Sequence, residues 1–367
     1  MLLNNESGYF YWPSIEDAET RVLTKSFINV KKIYGCNLPS VVRERLEWEL
    51  EAICEHDFSV IFYAMGEITK RAHEEGYVTS VRGAMASSLV SYLLGITDIN
   101  PLPPHYRCKK CKHSEFDVGN EYDIGVDLPD KLCPICGEPL AKDGFNLSAE
   151  MLLGLDGDKV PDICIAVSHE YSERAEEHLK ELFKNDYVIP AKNYEEHGRA
   201  QEFFIAPEEL LDDIELSEHF LKFGLPCYVT VEMLSVLQSV TGVSVSEIPL
   251  DDNVRRLING DKLITSQDDI FQFLIKKGMS RYDAHKYMRI CSLGKLGEAR
   301  FCGEWEKVAK KHNIEELYIE SAKKFRWLTS KANLLVCALA QYRLAWYKTH
   351  YPKEFCEVFG RKEMYYE

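Results

Sequence analysis

The chain has 367 residues, 46% hydrophobic and 28% charged, with a formal net charge of −15. This describes a soluble globular protein long enough for two compact units, with no apolar run near the roughly 20 residues that cross a bilayer. Met1 to Pro13 lacks the basic and apolar regions of a secretory signal, and so acidic a chain is unsuited to tight non-specific DNA binding over its whole surface.

In chain order, Ser14 with Asp17 resembles a capping box and predicts a helix to about Tyr34, ended by Gly35. Pro39 and Ser40 open a second helix, with Val42, Leu46, Leu50 and Ile53 on one face. Phe58 to Glu75 is a third, stopped by Gly76, and Tyr77 to Ser80 reads as a short strand. Met85 to Leu94 has helical length and ends at Gly95; residues 101–144 break into turns, charges and cysteines. Val160 to Val167 predicts a buried strand, His169 to Phe183 an amphipathic helix and Glu202 to Ala206 another strand. From about Thr230 the pattern is helical, with caps at Ser266 and Ser280 and a long apolar helix from Lys331 to His350, closed by Pro352. The fold class expected is α+β in the first half and all-helical in the second, joined near residues 224–230. No internal repeat or low-complexity linker is present.

Eight of the twelve cysteines are scattered singly, as at Cys54, Cys291 and Cys337, which suits reduced, packed thiols in a cytoplasmic protein. The other four form two pairs, Cys108-x2-Cys111 and Cys133-x2-Cys136. Each pair on a tight turn lets two thiolates converge, and two turns complete a tetrahedral zinc site with no open position, hence structural. The 21-residue loop between the pairs is expected to fold as a small hairpin. Four unrelated buried cysteines is the other reading, but this segment has almost no apolar core to bury them in.

Three segments carry a resemblance: "YLLGITDINPLPPHYRCKKCKHSEF" (Tyr92 to Phe116), "DLPDKLCPICGEPLAKDG" (Asp127 to Gly144) and "LLGLDGDKVPDI" (Leu152 to Ile163). They resemble the palm of PolC-type bacterial DNA polymerase III alpha subunits. Residues 31–82 resemble the helices that lead into that palm, and residues 262–359 the late fingers region. The resemblance implies a nucleotidyltransferase-like, polymerase-beta-like palm over 1–225, with an inserted zinc ribbon at 106–140. It implies a helical fingers-like unit over 226–367.

In that family two magnesium ions are held by an Asp-x-Asp pair on one strand and a third Asp on a neighbour. Positions i and i+2 of a strand share a face, so both carboxylates meet the ions. Here the pair reads Asp162-Ile163-Cys164, and no carboxylate stands between His219 and Val231. A thiol is a poor ligand for a hard cation, so Asp162 is the sole catalytic candidate that survives. The family's phosphate loop is Arg-Gly-Ser-x-Gly-Ser-Ser; the counterpart here is "RGAMASS", in which Arg82, Gly83, Ser87 and Ser88 match while Ala84 and Ala86 replace a hydroxyl and a glycine. Residues 185–225 and 253–264 read as shortened relative to the family, and its flanking exonuclease, oligonucleotide-binding and clamp-binding regions are not found.

The basic residues Lys109 and Lys110 at the first knuckle, and Lys323, Lys324, Arg326 and Lys331 beside Trp327, are the best nucleic-acid patch available; two solvated basic faces is the bland alternative. The expected function is a catalytically silent polymerase-like protein that binds DNA weakly or a replisome partner, with zinc as structural cofactor and no membrane. A residual DNA-directed DNA polymerase, which would need magnesium, is the alternative. A decaying paralogue is a third, against which the intact caps and apolar faces argue.

Overall fold

The computed structural model describes residues 2–5, 8–119, 121–191, 195–196, 199–208, 220–250 and 266–363. His219 and the shortened stretch 253–264 lie outside these residues. Among the described residues the chain is a mixed α and β structure of many helices and small sheets.

An antiparallel pair of strands, Leu2–Asn5 and Gly8–Tyr11, is followed by helices Ala18–Tyr34, Ser40–Glu55 and Ser59–Glu74. Val42, Leu46, Leu50 and Ile53 are all buried, as their spacing on one helical face requires. The first helix does not begin at Ser14: its cap is Asp17, in the left-handed region at φ 58, with no side-chain cap bond. The Met85–Leu94 stretch is not one helix either. A 3-10 turn at Met85–Ser87 is separated from helix Leu89–Leu93 by Ser88, whose extended backbone and Oγ cap the second piece. A cap residue needs non-helical dihedrals, so the apolar run had to break there.

Two of the small sheets are linked by isolated parallel bridges into one extended mixed sheet. Ser80–Val81 pairs antiparallel with Ile165–Ala166, and residues 164 and 167 bridge in parallel to Gly224 and Cys227. Strand Leu221–Gly224 pairs antiparallel with Glu202–Ala206, which pairs with Tyr187–Pro190. The amphipathic helix is Ser172–Leu182, shorter than the pattern 169–183.

A second sheet, 114–115 beside 105–107 beside 141–143, carries the cysteine knuckles. Among the described residues the loop between the knuckles does not fold as a hairpin of its own. Its strand Ser114–Glu115 pairs back across the first knuckle with Tyr106 and Arg107. Tyr106, Leu128, Leu140, Cys108 and Cys133 form a small separate core there.

From Val229 onward the described residues are helical: Val229–Thr241, Gln267–Lys276, Arg281–Ser292, Ala299–Lys311, Glu316–Ala322, Lys331–His350 and Pro352–Glu363. Ser266 and Ser280 cap as expected, each accepting from the N–H three residues on. Pro352 does not only close the long helix. It opens the next, where its fixed φ and missing N–H are harmless. One hydrophobic core runs from Trp12 to Val358 through both halves. No helix among the described residues is long and apolar enough to cross a membrane.

Candidate functional site

Asp162, the Arg82–Ser88 loop and Cys164 meet at the joint between the two antiparallel parts of the extended sheet. The Arg82 N–H donates to the Cys164 carbonyl at 3.0 Å, and the Gly224 N–H to the Ile163 carbonyl at 2.9 Å. Gly83 has φ 68, and a Cβ there would come 3.5 Å from the Asp162 carboxylate. Asp162 is exposed. Cys164 is half-buried, and burial pushes its thiol up to about 12. Across from it, a Cβ on Gly224 would stand 3.2 Å from the Cys164 sulfur and from the Ile163 carbonyl, closer than most Cβ contacts. The sulfur and the bare glycine fit one another, and besides Asp162 the carboxylate that acts on Cys164 is that of Glu202, paired in register with Gly224 on the next strand. Among the described residues, the four knuckle cysteines are the only set of three or more His, Cys, Asp or Glu groups gathered as a metal site. One exposed carboxylate, a protonated thiol and a glycine do not fit a pair of magnesium ions, which require shared oxygen ligands.

The loop that resembles a phosphate cradle is already engaged. The Gly83 N–H donates to Asn333 Oδ1 at 3.0 Å, and Ser330 Oγ donates to the Gly83 carbonyl at 3.1 Å. Arg82 lies over the Tyr228 ring and donates to the Cys337 sulfur. Ser87 and Ser88 are fully buried. Ser88 Oγ donates to Glu49 Oε2 at 2.6 Å, and the N–H groups of Leu89 and Val90 donate to the same carboxylate at 2.9 and 3.0 Å. Glu49 is itself wholly buried and paired with Arg45. The protein's own carboxylate therefore sits where helix N–H groups would meet an anion. Nothing in the local sequence signals this, because Glu49 lies about forty residues upstream on another helix.

The knuckle sulfurs converge. All four ligand atoms lie within 4.8 Å of one another, with Cys108–Cys136 and Cys111–Cys133 at 3.5 Å. A tetrahedral zinc with sulfurs at about 2.3 Å needs sulfur separations of about 3.8 Å, so the set fits that ion. The Cys111 N–H donates to the Cys108 sulfur and helps draw that thiol down to about 6.

The basic residues are not one patch. Lys110 pairs with Glu138, and Lys323 is held by Glu306 and Glu320, which raise its pKa. Lys109, Lys324 and Arg326 are exposed and Lys331 half-buried, with Trp327 69% exposed beside them.

The chain that carries these features is similar to bacterial replicative polymerases. Residues 21–201 match the family described as the bacterial DNA polymerase III alpha NTPase domain. More particularly, the chain resembles PolC-type DNA polymerase III. It is 29% identical to that of Thermotoga petrophila over 95% of its own length and 35% of the relative. To that of Bacillus subtilis it is 27% identical over 93% of its length and 33% of the relative. The chain thus spans about a third of the length of the curated relatives it matches. The matched span with the Thermotoga protein is 482 residues, longer than the whole of this chain, so the relative carries stretches there without counterpart here.

Proposed function

We propose that this PolC-like chain does not carry out two-metal phosphoryl transfer and acts as a replication-associated binder of nucleic acid or of a replisome protein. The observation that carries the reading is the Cys164–Gly224 pairing beside Asp162, where magnesium chemistry calls for two further carboxylates. On this reading residues 1–225 form a nucleotidyltransferase-like palm with its leading helices, which the extended mixed sheet supports, and residues 226–367 a fingers-like unit. Cys108, Cys111, Cys133 and Cys136 hold one zinc. Its four thiolates close the coordination sphere, so the ion orders residues 106–140 and takes no part in chemistry. Lys109, Lys324, Arg326 and Lys331 supply weak DNA contact. The free thiols fit a reducing, cytoplasmic setting.

A residual DNA-directed DNA polymerase is the second reading, favoured by the meeting of Asp162 with Gly83 in one corner. Magnesium belongs to that reading alone. Primer extension separates the two. The expected result is no extension with magnesium or manganese, from the wild type or from Cys164→Asp. Template-directed extension by the wild type, abolished by Asp162→Asn, would overturn the silent reading.

A further inference from the structure

The zinc ribbon meets the leading helices at one buried polar cluster. Tyr34, the last residue of helix Ala18–Tyr34, reaches His105, the first residue of the ribbon's central strand, and both are buried. The His105 ring stacks on Phe116 at 4.2 Å, and Tyr34 packs on the same phenyl ring at 6.4 Å. Beside them Gly35 stands against the first knuckle, where a Cβ would come 3.3 Å from that of Lys112. The hydrogen bonds run in one direction. Asn100 Oδ1 accepts the Leu102 N–H, which fixes its amide so that Nδ2 donates to the Tyr34 hydroxyl oxygen at 2.7 Å. The Pro103 carbonyl, which can only accept, lies 2.7 Å from His105 Nδ1. That nitrogen therefore carries the ring proton, and the bare Nε2 accepts from the Tyr34 hydroxyl at 3.0 Å.

The titratable and charged groups that face this ring are Tyr34 from the first helix, Tyr92 from helix Leu89–Leu93, and Arg107 and Asp143 from the ribbon's own strands. Burial, then the Asp143 charge, keeps both tyrosines protonated, and Arg107 holds Asp143 ionised against its burial. Of these groups only His105 changes state between neutral and mildly acid pH. A proton on Nε2 turns an acceptor into a donor aimed at the Tyr34 oxygen. That oxygen already takes the Asn100 bond, and its own hydrogen is left with no other acceptor among the described residues. A buried imidazolium and an orphaned hydroxyl both cost free energy, which separation of the ribbon from the helix relieves. We propose that the Tyr34–His105 bond is an acid-operated latch, closed while Nε2 is bare and opened by its protonation, which frees the zinc ribbon from the first helix. The latch uses neither the four thiolates nor Asp162, and it stands whether or not the chain is catalytically silent.

Burial lowers the histidine's pKa in the closed form, so closure is favoured above about 6.5 and loses that advantage as pH falls through that value. One pH unit lower, protonation of the opened form shifts the equilibrium towards opening by at most about tenfold. Amide hydrogen exchange of the zinc-loaded full chain near pH 7.5 and near pH 5.5, corrected for the intrinsic exchange rate, tests it. The N–H groups of Phe145, Asn146 and Leu147 donate to the carbonyls of Asn100, Leu102 and Pro101 at the root of the ribbon and report its opening. Their protection is expected to fall about three- to tenfold at the lower pH in the wild type. In His105→Gln, whose amide oxygen still accepts from Tyr34 and does not titrate, it is expected to be the same at both. Protonation of the knuckle thiolates acts on both proteins alike, so the difference between them belongs to His105. Tyr34→Phe removes the bond without touching the histidine and is expected to lower the same protection already at the higher pH, which keeps the test decisive if the glutamine variant does not fold. Nitrogen chemical shifts of the His105 ring are expected to place the neutral-pH proton on Nδ1. A neutral-pH proton on Nε2, wild-type protection indifferent to pH, a pH response retained by His105→Gln, or unchanged protection in Tyr34→Phe overturns the proposal. So does protection equal to that of helix Ser59–Glu74, because the three amides would then open only with the whole chain.

Discussion

Replacing Glu49 tests whether the phosphate-like loop is held by an internal anion. The carboxylate is fully buried and receives the Ser88 hydroxyl, the N–H groups of Leu89 and Val90, and the Arg45 guanidinium. Arg45 also donates to the carbonyls of Ser87 and Leu147, so the pair ties the second helix to the loop and to the segment after the knuckles. Glu49→Ala leaves a mostly buried guanidinium without its counter-charge and three donors without an acceptor. Breaking a buried pair from one side costs about 3–5 kcal/mol. Glu49→Gln keeps the volume and one acceptor oxygen, so its cost should be smaller, about 1.5–3 kcal/mol for the lost charge-assisted bonds. Chemical denaturation followed by circular dichroism would measure both. Arg45→Met should cost as much as Glu49→Gln or more, and the double variant Glu49→Gln with Arg45→Met should cost less than the sum, because neither charge is then left alone. A loss under about 1 kcal/mol for Glu49→Ala, the size of an ordinary neutral hydrogen bond, would refute this account.

Metal analysis should find close to one zinc per chain. Chelation should melt residues 106–140 while the main core stays folded, because apparent zinc binding of roughly 10–16 kcal/mol acts on a subdomain with only a small core of its own; full amide protection at Cys108 and Cys133 without metal would contradict it. DNA binding should be weak and collapse between low and physiological salt. Lys324→Glu should weaken it, whereas Lys323→Glu should disturb folding instead, since its partners are Glu306 and Glu320; equal effects of the two on affinity with equal Tm would argue otherwise. Stability should fall from pH 7 to pH 5. Burial lowers the pKa of His73, His105 and His285 in the folded state, so the unfolded chain binds protons more readily below about 6.5 and stability is lost as pH falls through that range. Urea midpoints independent of pH over that window would refute it.

The sequence alone determined the helices with clean apolar periodicity, the caps at Ser266 and Ser280, the strand Glu202–Ala206 and the pairing of the two knuckles. Each is fixed by local chemistry: a face of repeating side chains, a hydroxyl three residues from a free N–H, or two thiols on one tight turn. The kinship to PolC-type polymerases was likewise legible in contiguous segments, Tyr92 to Phe116 foremost. Only the tertiary structure decided what lies far apart in the chain. It set Gly224 against Cys164 and Asn333 on the Gly83 N–H. It placed Glu49 at the N-terminus of helix Leu89–Leu93 and tied Lys323 into carboxylates. It also split the Met85–Leu94 run, which periodicity alone reads as one helix, because Ser88 was needed as a cap facing that buried carboxylate. Residue type and spacing can nominate a loop or a lysine for binding. Whether its donors are free depends on partners that only long-range packing brings within hydrogen-bonding distance.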